Sequence, residues 1–319
     1  MNIDPGQLAA ADTAGATTRG LRSLLVVRNG VLVDEQYYGS ATASSLEDGR
    51  SITKSVTSLL SGLALSLGIF SGTGMHLDAL IHPPVAQVSA AESAITLDNL
   101  LTMTSGFAWD ESTAAGYNAW VLSPNQVEYL LAEPLSDLPG LRFNYNSAAV
   151  HLISVGLSEA TRASTQAFAS ANLFAALGIQ DFSWETDQQG YNNGAAGLAL
   201  HPRDFAKFGQ LVLQNGASGA ESIVPAGWVE QSFLIHASPS DRVGPLSTLS
   251  YGYLWWLGSW NSHHLEFAWG YRGQFIVVVP DLELVVVATS DLTDASIPPY
   301  AEADGVMTLI IDYVLPAVH

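Results

Sequence analysis

Near each end of the chain, two short apolar runs close on a turn dipeptide, and that pairing leaves few ways to fold the rest. Residues 24–27 (Leu-Leu-Val-Val) and 31–33 (Val-Leu-Val) flank Arg28-Asn29-Gly30. Asn-Gly between apolar runs is the strongest short hairpin signal, because both residues tolerate the left-handed backbone of a tight turn. Residues 275–279 and 284–288 are β-branched and flank Pro280-Asp281, which predicts a second hairpin. Between the two lie helical patterns. Residues 51–67 read as a helix stopped by Gly68, 201–213 as a helix with Pro202 in its first turn, and 303–315 as a closing helix with an apolar face. Residues 71–200 mix helical periodicity with Gly, Pro and Asn loops and show few strand runs. The expected class is α+β: an antiparallel sheet flanked by helices and built from both chain ends, with a helical domain inserted. Residues 21–72 and 195–319 would form the α/β domain, 73–194 the mostly helical one, and 1–20 a loose leader.

Charge narrows the function. Lys plus Arg number 11 against 30 Asp plus Glu, a formal charge of −19, and only two lysines occur, Lys54 and Lys207. Such a field repels nucleic acid and anionic lipid. With 48% hydrophobic residues over 319, the chain can bury a sizeable core, which excludes disorder. The absence of cysteine excludes disulfides, thiolate metal sites and cysteine catalysis. No run reaches the roughly 18 apolar residues of a membrane span. Residues 1–20 lack the basic-then-apolar order of an export signal, so the compartment stays open between the cytoplasm and export of a trimmed chain.

Three segments carry candidate chemistry. In Ser51-Ile52-Thr53-Lys54 the serine and lysine share a helix face, opposite an apolar stripe of Ile52, Val56, Leu59, Leu63 and Leu67. A lysine one turn from a serine at a helix start can take its proton, since burial and the helix dipole lower an ammonium's pKa. The plainer alternative is a capping serine and an unrelated lysine. In Phe143-Asn144-Tyr145-Asn146-Ser147, before an apolar helix, the tyrosine could relay a proton, or be a half-buried tyrosine beside an Asn cap. In residues 267–274 (Phe-Ala-Trp-Gly-Tyr-Arg-Gly-Gln), glycines before a strand allow close backbone approach and an oxyanion hole, or else a simple turn.

Other patterns fall short. Gly216-Ala217-Ser218-Gly219-Ala220 lacks the last glycine of a nucleophile elbow, and Gly72-Thr73-Gly74 lacks the third glycine of a dinucleotide loop. His263-His264 has no helical partner for a metal, and His151 and His201 read as structural. No metal or cofactor is expected.

In this order the segments resemble the serine β-lactamase-like superfamily: class C β-lactamases, D-Ala-D-Ala peptidases, family VIII carboxylesterases and 6-aminohexanoate-dimer hydrolases. The resemblance spans about residues 21–315. It includes Leu100-Leu101-Thr102-Met103-Thr104-Ser105-Gly106, with Trp109-Asp110-Glu111 after it, and residues 197–204, 208–211 and 251–256. It implies the β-lactamase/transpeptidase-like fold, with Ser51 as nucleophile, Lys54 as general base and Tyr145 as proton relay. The oxyanion hole would be the N–H groups of Ser51 and Tyr271. Two departures stand out. The Y-x-N element ends in Ser147, and the K-T-G lysine is missing at Ala268-Trp269-Gly270. Trp109, Asp110, Ser147, Trp256, Trp269, Gly270 and Arg272 are the expected substrate contacts, with Arg272 a possible substitute for the lysine.

The reading is a metal-free serine hydrolase that cleaves a small ester or amide through an acyl-enzyme. The alternative is a penicillin-binding or β-lactam-hydrolysing protein, including a sensor that stays acylated. Oligomeric state is not legible.

Overall fold

In the computed structural model, which describes residues 3–318, Asn29 and Gly30 both take left-handed backbone, with φ of 51° and 73°. That pair of angles is what a two-residue type I′ turn requires. The turn joins β1 (Leu21–Arg28) to β2 (Val31–Tyr37). Five more strands follow late in the chain: β3 (Ser250–Tyr251), β4 (Trp256–Trp260), β5 (His263–Gly270), β6 (Gln274–Val279) and β7 (Leu284–Ser290). They form one antiparallel sheet in the order β2-β1-β7-β6-β5-β4-β3. The two ends of the chain meet where Val26 lies opposite Val286. Every residue of β6 and β7 is buried, which is why those runs are continuously apolar rather than alternating. Their connection is one short turn, Pro280–Leu282, closed by Glu283 at φ 43°.

Five helices position the rest: α1 (Pro5–Gly15), α2 (Ile52–Ser66), α3 (Ser147–Thr161), α4 (Pro202–Leu213) and α5 (Pro299–Leu309). Helix α4 lies on β6 and β7 so closely that a Cβ on Gly209 would sit 2.4 Å from Val285 and 2.9 Å from Ile276. The expected closing helix starts earlier, at Pro299. It continues through a wider turn (Ile310–Val314) into Leu315–Ala317.

The leader read as loose is instead α1. Asp4 caps it, accepting from the N–H groups of Gly6 and Gln7, and Pro5 opens its first turn. Asp4 N–H donates to the Ala317 carbonyl at 2.8 Å, and Leu8 and Ala11 are buried. The apolar face of α1 is largely alanine, so periodicity could not reveal it.

Helix α2 is also different in kind from an amphipathic surface helix. Its expected stripe of Ile52, Val56, Leu59 and Leu63 is buried, but so are Lys54, Ser55, Thr57, Ser58 and Ser61 on the other faces. Leu67, expected to end the stripe, lies past the helix and is exposed. A helix covered all round needs partners for its polar side chains, and of these only the Ser58 hydroxyl finds none among the described residues. Ser55 donates to Leu254 O (2.7 Å), Thr57 to Gly194 O (2.7 Å) and Ser61 to Thr57 O (2.8 Å). Trp228 crosses at Gly62, where a Cβ would meet its ring at 2.3 Å. The regular elements between residues 77 and 174 are helices joined by loops, and a small sheet (Glu47–Asp48, Leu198–Leu200, Phe182–Trp184) pins the segment leading into Ser51.

Candidate active site

The approach to Ser51 is fixed by backbone. Gly49 N–H donates to Leu198 O, Arg50 N–H to Asp48 Oδ1 at 2.7 Å, and Arg50 adopts φ 49°. A left-handed arginine is strained, and the surrounding bonds hold it. Ser51 then precedes the first helical residue, yet its side chain makes no capping bond. The capping alternative therefore fails, and Oγ is left for chemistry. Lys54 Nζ, one turn on, donates to Ser51 Oγ at 2.8 Å and to the Ala195 carbonyl at 3.0 Å. Lys54 is 1% exposed, and among the described residues no carboxylate lies in ion-pair contact with it. Burial pulls its ammonium down to about 8, with the Glu111 charge opposing.

Tyr145, two residues before α3, brings its ring 4.8 Å from Lys54 Nζ and stacks on Trp256 at 6.0 Å. Burial, then the Glu111 charge, pushes the phenol well up, while the neighbouring Ser51 hydroxyl works the other way. Tyr145 is thus a neutral phenol at rest, able to give a proton rather than take one. Phe143, Tyr251 and Trp269 extend the aromatic wall around Trp256, at 6.2, 4.9 and 5.2 Å between rings.

At the end of β5, a Cβ on Gly270 would fall 2.2 Å from the Gly49 carbonyl. Only glycine permits that approach, which draws residue 271 against the segment entering Ser51. Tyr271 is half-exposed there.

Four expected substrate contacts are engaged elsewhere. Asp110 is exposed and accepts from the Ser112 N–H of its own loop at 2.8 Å. The acid that reaches the site is its neighbour Glu111. Both Glu111 oxygens bind Ser147, from N–H at 2.7 Å and from Oγ at 2.8 Å, so the Ser147 hydroxyl is already committed. Trp109 also donates to Glu111 (2.7 Å), with its ring buried edge-on to Trp120 and Tyr129. Arg272 is 6% exposed and donates to Glu302 and to the Asp294 carbonyl, each at 2.8 Å. A guanidinium already paired in the interior does not replace a substrate-holding lysine. Glu111 and the Ala195 carbonyl were missed because their contacts span 36 and 141 residues. Glu111's place just after the 100–106 loop was the only signal.

Among the described residues no group of three or more His, Asp or Glu side chains could hold a metal, and no helix is long and apolar enough to cross a membrane.

Solved structures share the fold. A protein assigned as a 6-aminohexanoate-dimer hydrolase from Bacillus anthracis superposes with TM-score 0.78 at 20% identity, over 97% of this chain and 80% of that one. An octameric penicillin-binding protein homologue from Pyrococcus abyssi gives 0.75 at 16%, over 96% and 76%. EstCE1, a hydrolase with promiscuous acyltransferase activity, gives 0.71 at 16%, over 94% and 97%. At such identities these likenesses speak for the fold alone, and among curated proteins no sequence matches. The sequence model of the Beta-lactamase family, however, matches residues 9–302. With that match over nearly its whole length, and the β-lactamase/transpeptidase-like fold beneath it, the chain belongs to the β-lactamase family.

Proposed function

We propose that the protein hydrolyses small esters or amides through an acyl-enzyme on Ser51. The observation that carries this reading is Lys54: buried, 2.8 Å from Ser51 Oγ, without a carboxylate partner among the described residues, and lowered to about 8. A neutral Nζ takes the Ser51 proton as Oγ bonds to the substrate carbonyl carbon. The N–H groups of Ser51 and Tyr271, which donate to no loop or turn carbonyl among the described residues, receive the oxyanion. As the tetrahedral centre collapses, the leaving group departs with a proton passed through Tyr145. Water then releases the acid by the same route. Ser51 and Lys54 come from the sheet part of the chain (21–72 and 195–319), Tyr145 from the helical part (73–194), so substrate enters between them.

Esters are the favoured class. Ala268-Trp269-Gly270 offers no cation to a β-lactam carboxylate, and Arg272 is held by Glu302. Losing one charge-assisted hydrogen bond, about 1.5–3 kcal/mol, costs roughly ten- to a hundredfold in kcat/KM. The test has two arms. A fluorophosphonate should label Ser51 alone by peptide mass, with Ser51→Ala unlabelled; labelling elsewhere removes the nucleophile. In the second arm, p-nitrophenyl acetate or butyrate should exceed nitrocefin and benzylpenicillin in kcat/KM. A product burst followed by silence would instead mark a penicillin-binding sensor.

A further inference from the structure

Outside the Ser51 cluster, a fully buried imidazole–carboxylate pair touches the same machinery. His151, on α3, and Asp187 have side chains with no solvent exposure, and His151 Nε2 lies 3.1 Å from Asp187 Oδ2. The ring's other nitrogen, Nδ1, accepts the Gly194 N–H at 3.4 Å. An Nδ1 that accepts carries no proton, so the hydrogen sits on Nε2 and points at the carboxylate. Burial alone would raise the Asp187 carboxyl. The hydrogen bonds from His151 and from the Tyr191 and Gln189 N–H groups hold it below the usual range. Trp120 closes the edge of the imidazole at 5.8 Å.

The Gly194-Ala195 segment held in this way is the one that meets Lys54. The Gly194 carbonyl accepts from Thr57 on α2, Ala195 N–H donates to Asn193 Oδ1 at 2.9 Å, and the Ala195 carbonyl takes Lys54 Nζ. Gly194 presses on α3 so closely that a Cβ would sit 2.8 Å from Ser154 Cβ and 3.1 Å from Val150 O. For Lys54 to act as base, its lone pair must face the Ser51 hydroxyl. A carbonyl that captures one Nζ hydrogen fixes that orientation. His151 ties this carbonyl's segment to the helix that begins just after Tyr145.

We propose that His151, oriented by Asp187, is a positioning residue that aims the Ala195 carbonyl at Lys54 and so keeps base and phenol in register. This rests on the Ser51–Lys54 reading. The charged and titratable groups facing Lys54 are Glu111 and Tyr145, and the one facing His151 is Asp187.

The experiment measures kcat, KM and the pH profile with p-nitrophenyl butyrate, normalised to the Ser51 that a fluorophosphonate titrates. It uses the wild type, His151→Leu, His151→Gln and Thr57→Val. His151→Leu should lose ten- to a hundredfold in kcat with KM within about twofold, the scale of a misplaced catalytic group. Its acid limb should move to lower pH, since the ammonium loses the carbonyl that favoured it. His151→Gln, which keeps a donor and an acceptor, should recover most of the rate. Thr57→Val, which loosens the same segment from α2, should shift both readouts the same way by less. Should His151→Leu not fold, Thr57→Val decides. Wild-type kcat and limb per titrated serine in the folded variants overturn the positioning role. A wild type that the fluorophosphonate does not label at Ser51 overturns the nucleophile reading instead, a different result.

Discussion

Lys54 and Arg272 are both buried cations, at 1% and 6% exposure, but their surroundings assign them opposite work. Arg272 faces the Glu302 carboxylate at 2.8 Å, and the two side chains are 7% and 0% exposed. Lys54 donates to a hydroxyl and a carbonyl, beside the neutral Tyr145 ring. Taking a charge out of water costs several kcal/mol, and a cation can recover this by pairing or by giving up its proton. Arg272 pairs and joins α5 to the loop after β5. Lys54 is pushed toward neutrality, as the proposed base requires.

The sharpest way to break the contrast is to make Lys54 permanently charged. Lys54→Arg should lose at least about a hundredfold in kcat toward p-nitrophenyl esters while circular dichroism stays native-like. A near-wild-type rate would remove lysine from the mechanism. The converse substitution tests the other cation. Arg272→Ala strands Glu302 in the interior, and breaking one side of a buried pair costs about 3–5 kcal/mol. The midpoint of denaturant unfolding should fall, while the ester-to-β-lactam ratio stays put. If Arg272→Ala spared stability and abolished a β-lactam preference, the arginine would be a substrate anchor after all.

The same contrast explains what could be read from the chain and what could not. Ser51 and Lys54 are three residues apart on one helix, and the Asn29-Gly30 and Pro280-Asp281 turns are local, so periodicity and turn chemistry place them. The β6 and β7 runs announce full burial by composition. Side-chain direction at Glu111 and Arg272 depends instead on partners 30 or more residues away, Ser147 and Glu302. A resemblance at Trp109-Asp110-Glu111 could find the loop but not which acid turns inward. Helix α1 was lost for another reason: alanine, which packs its face, is apolar too weakly to mark a period.

The smallest expected effect concerns the one carboxylate whose charge reaches Lys54. Glu111 opposes the burial that lowers the lysine, so its removal should drive Lys54 further below about 8. In Glu111→Gln, the acid limb of kcat/KM for an ester should therefore sit at lower pH than in the wild type. A lower value leaves more of Lys54 neutral at pH 7, so the fraction of competent base there should rise. The plateau at high pH should move the opposite way. A carboxylate accepts from Trp109, Ser147 N–H and Ser147 Oγ together, whereas an amide must turn its own N–H₂ on one of these donors. The loop before α3 then loosens, and Tyr145 with it. A limb at lower pH under a reduced plateau separates the two roles of Glu111, charge and anchor. A limb shifted to higher pH would mean that Glu111 does not act on Lys54 through its charge, and the account of what tunes the base would have to rest on burial alone.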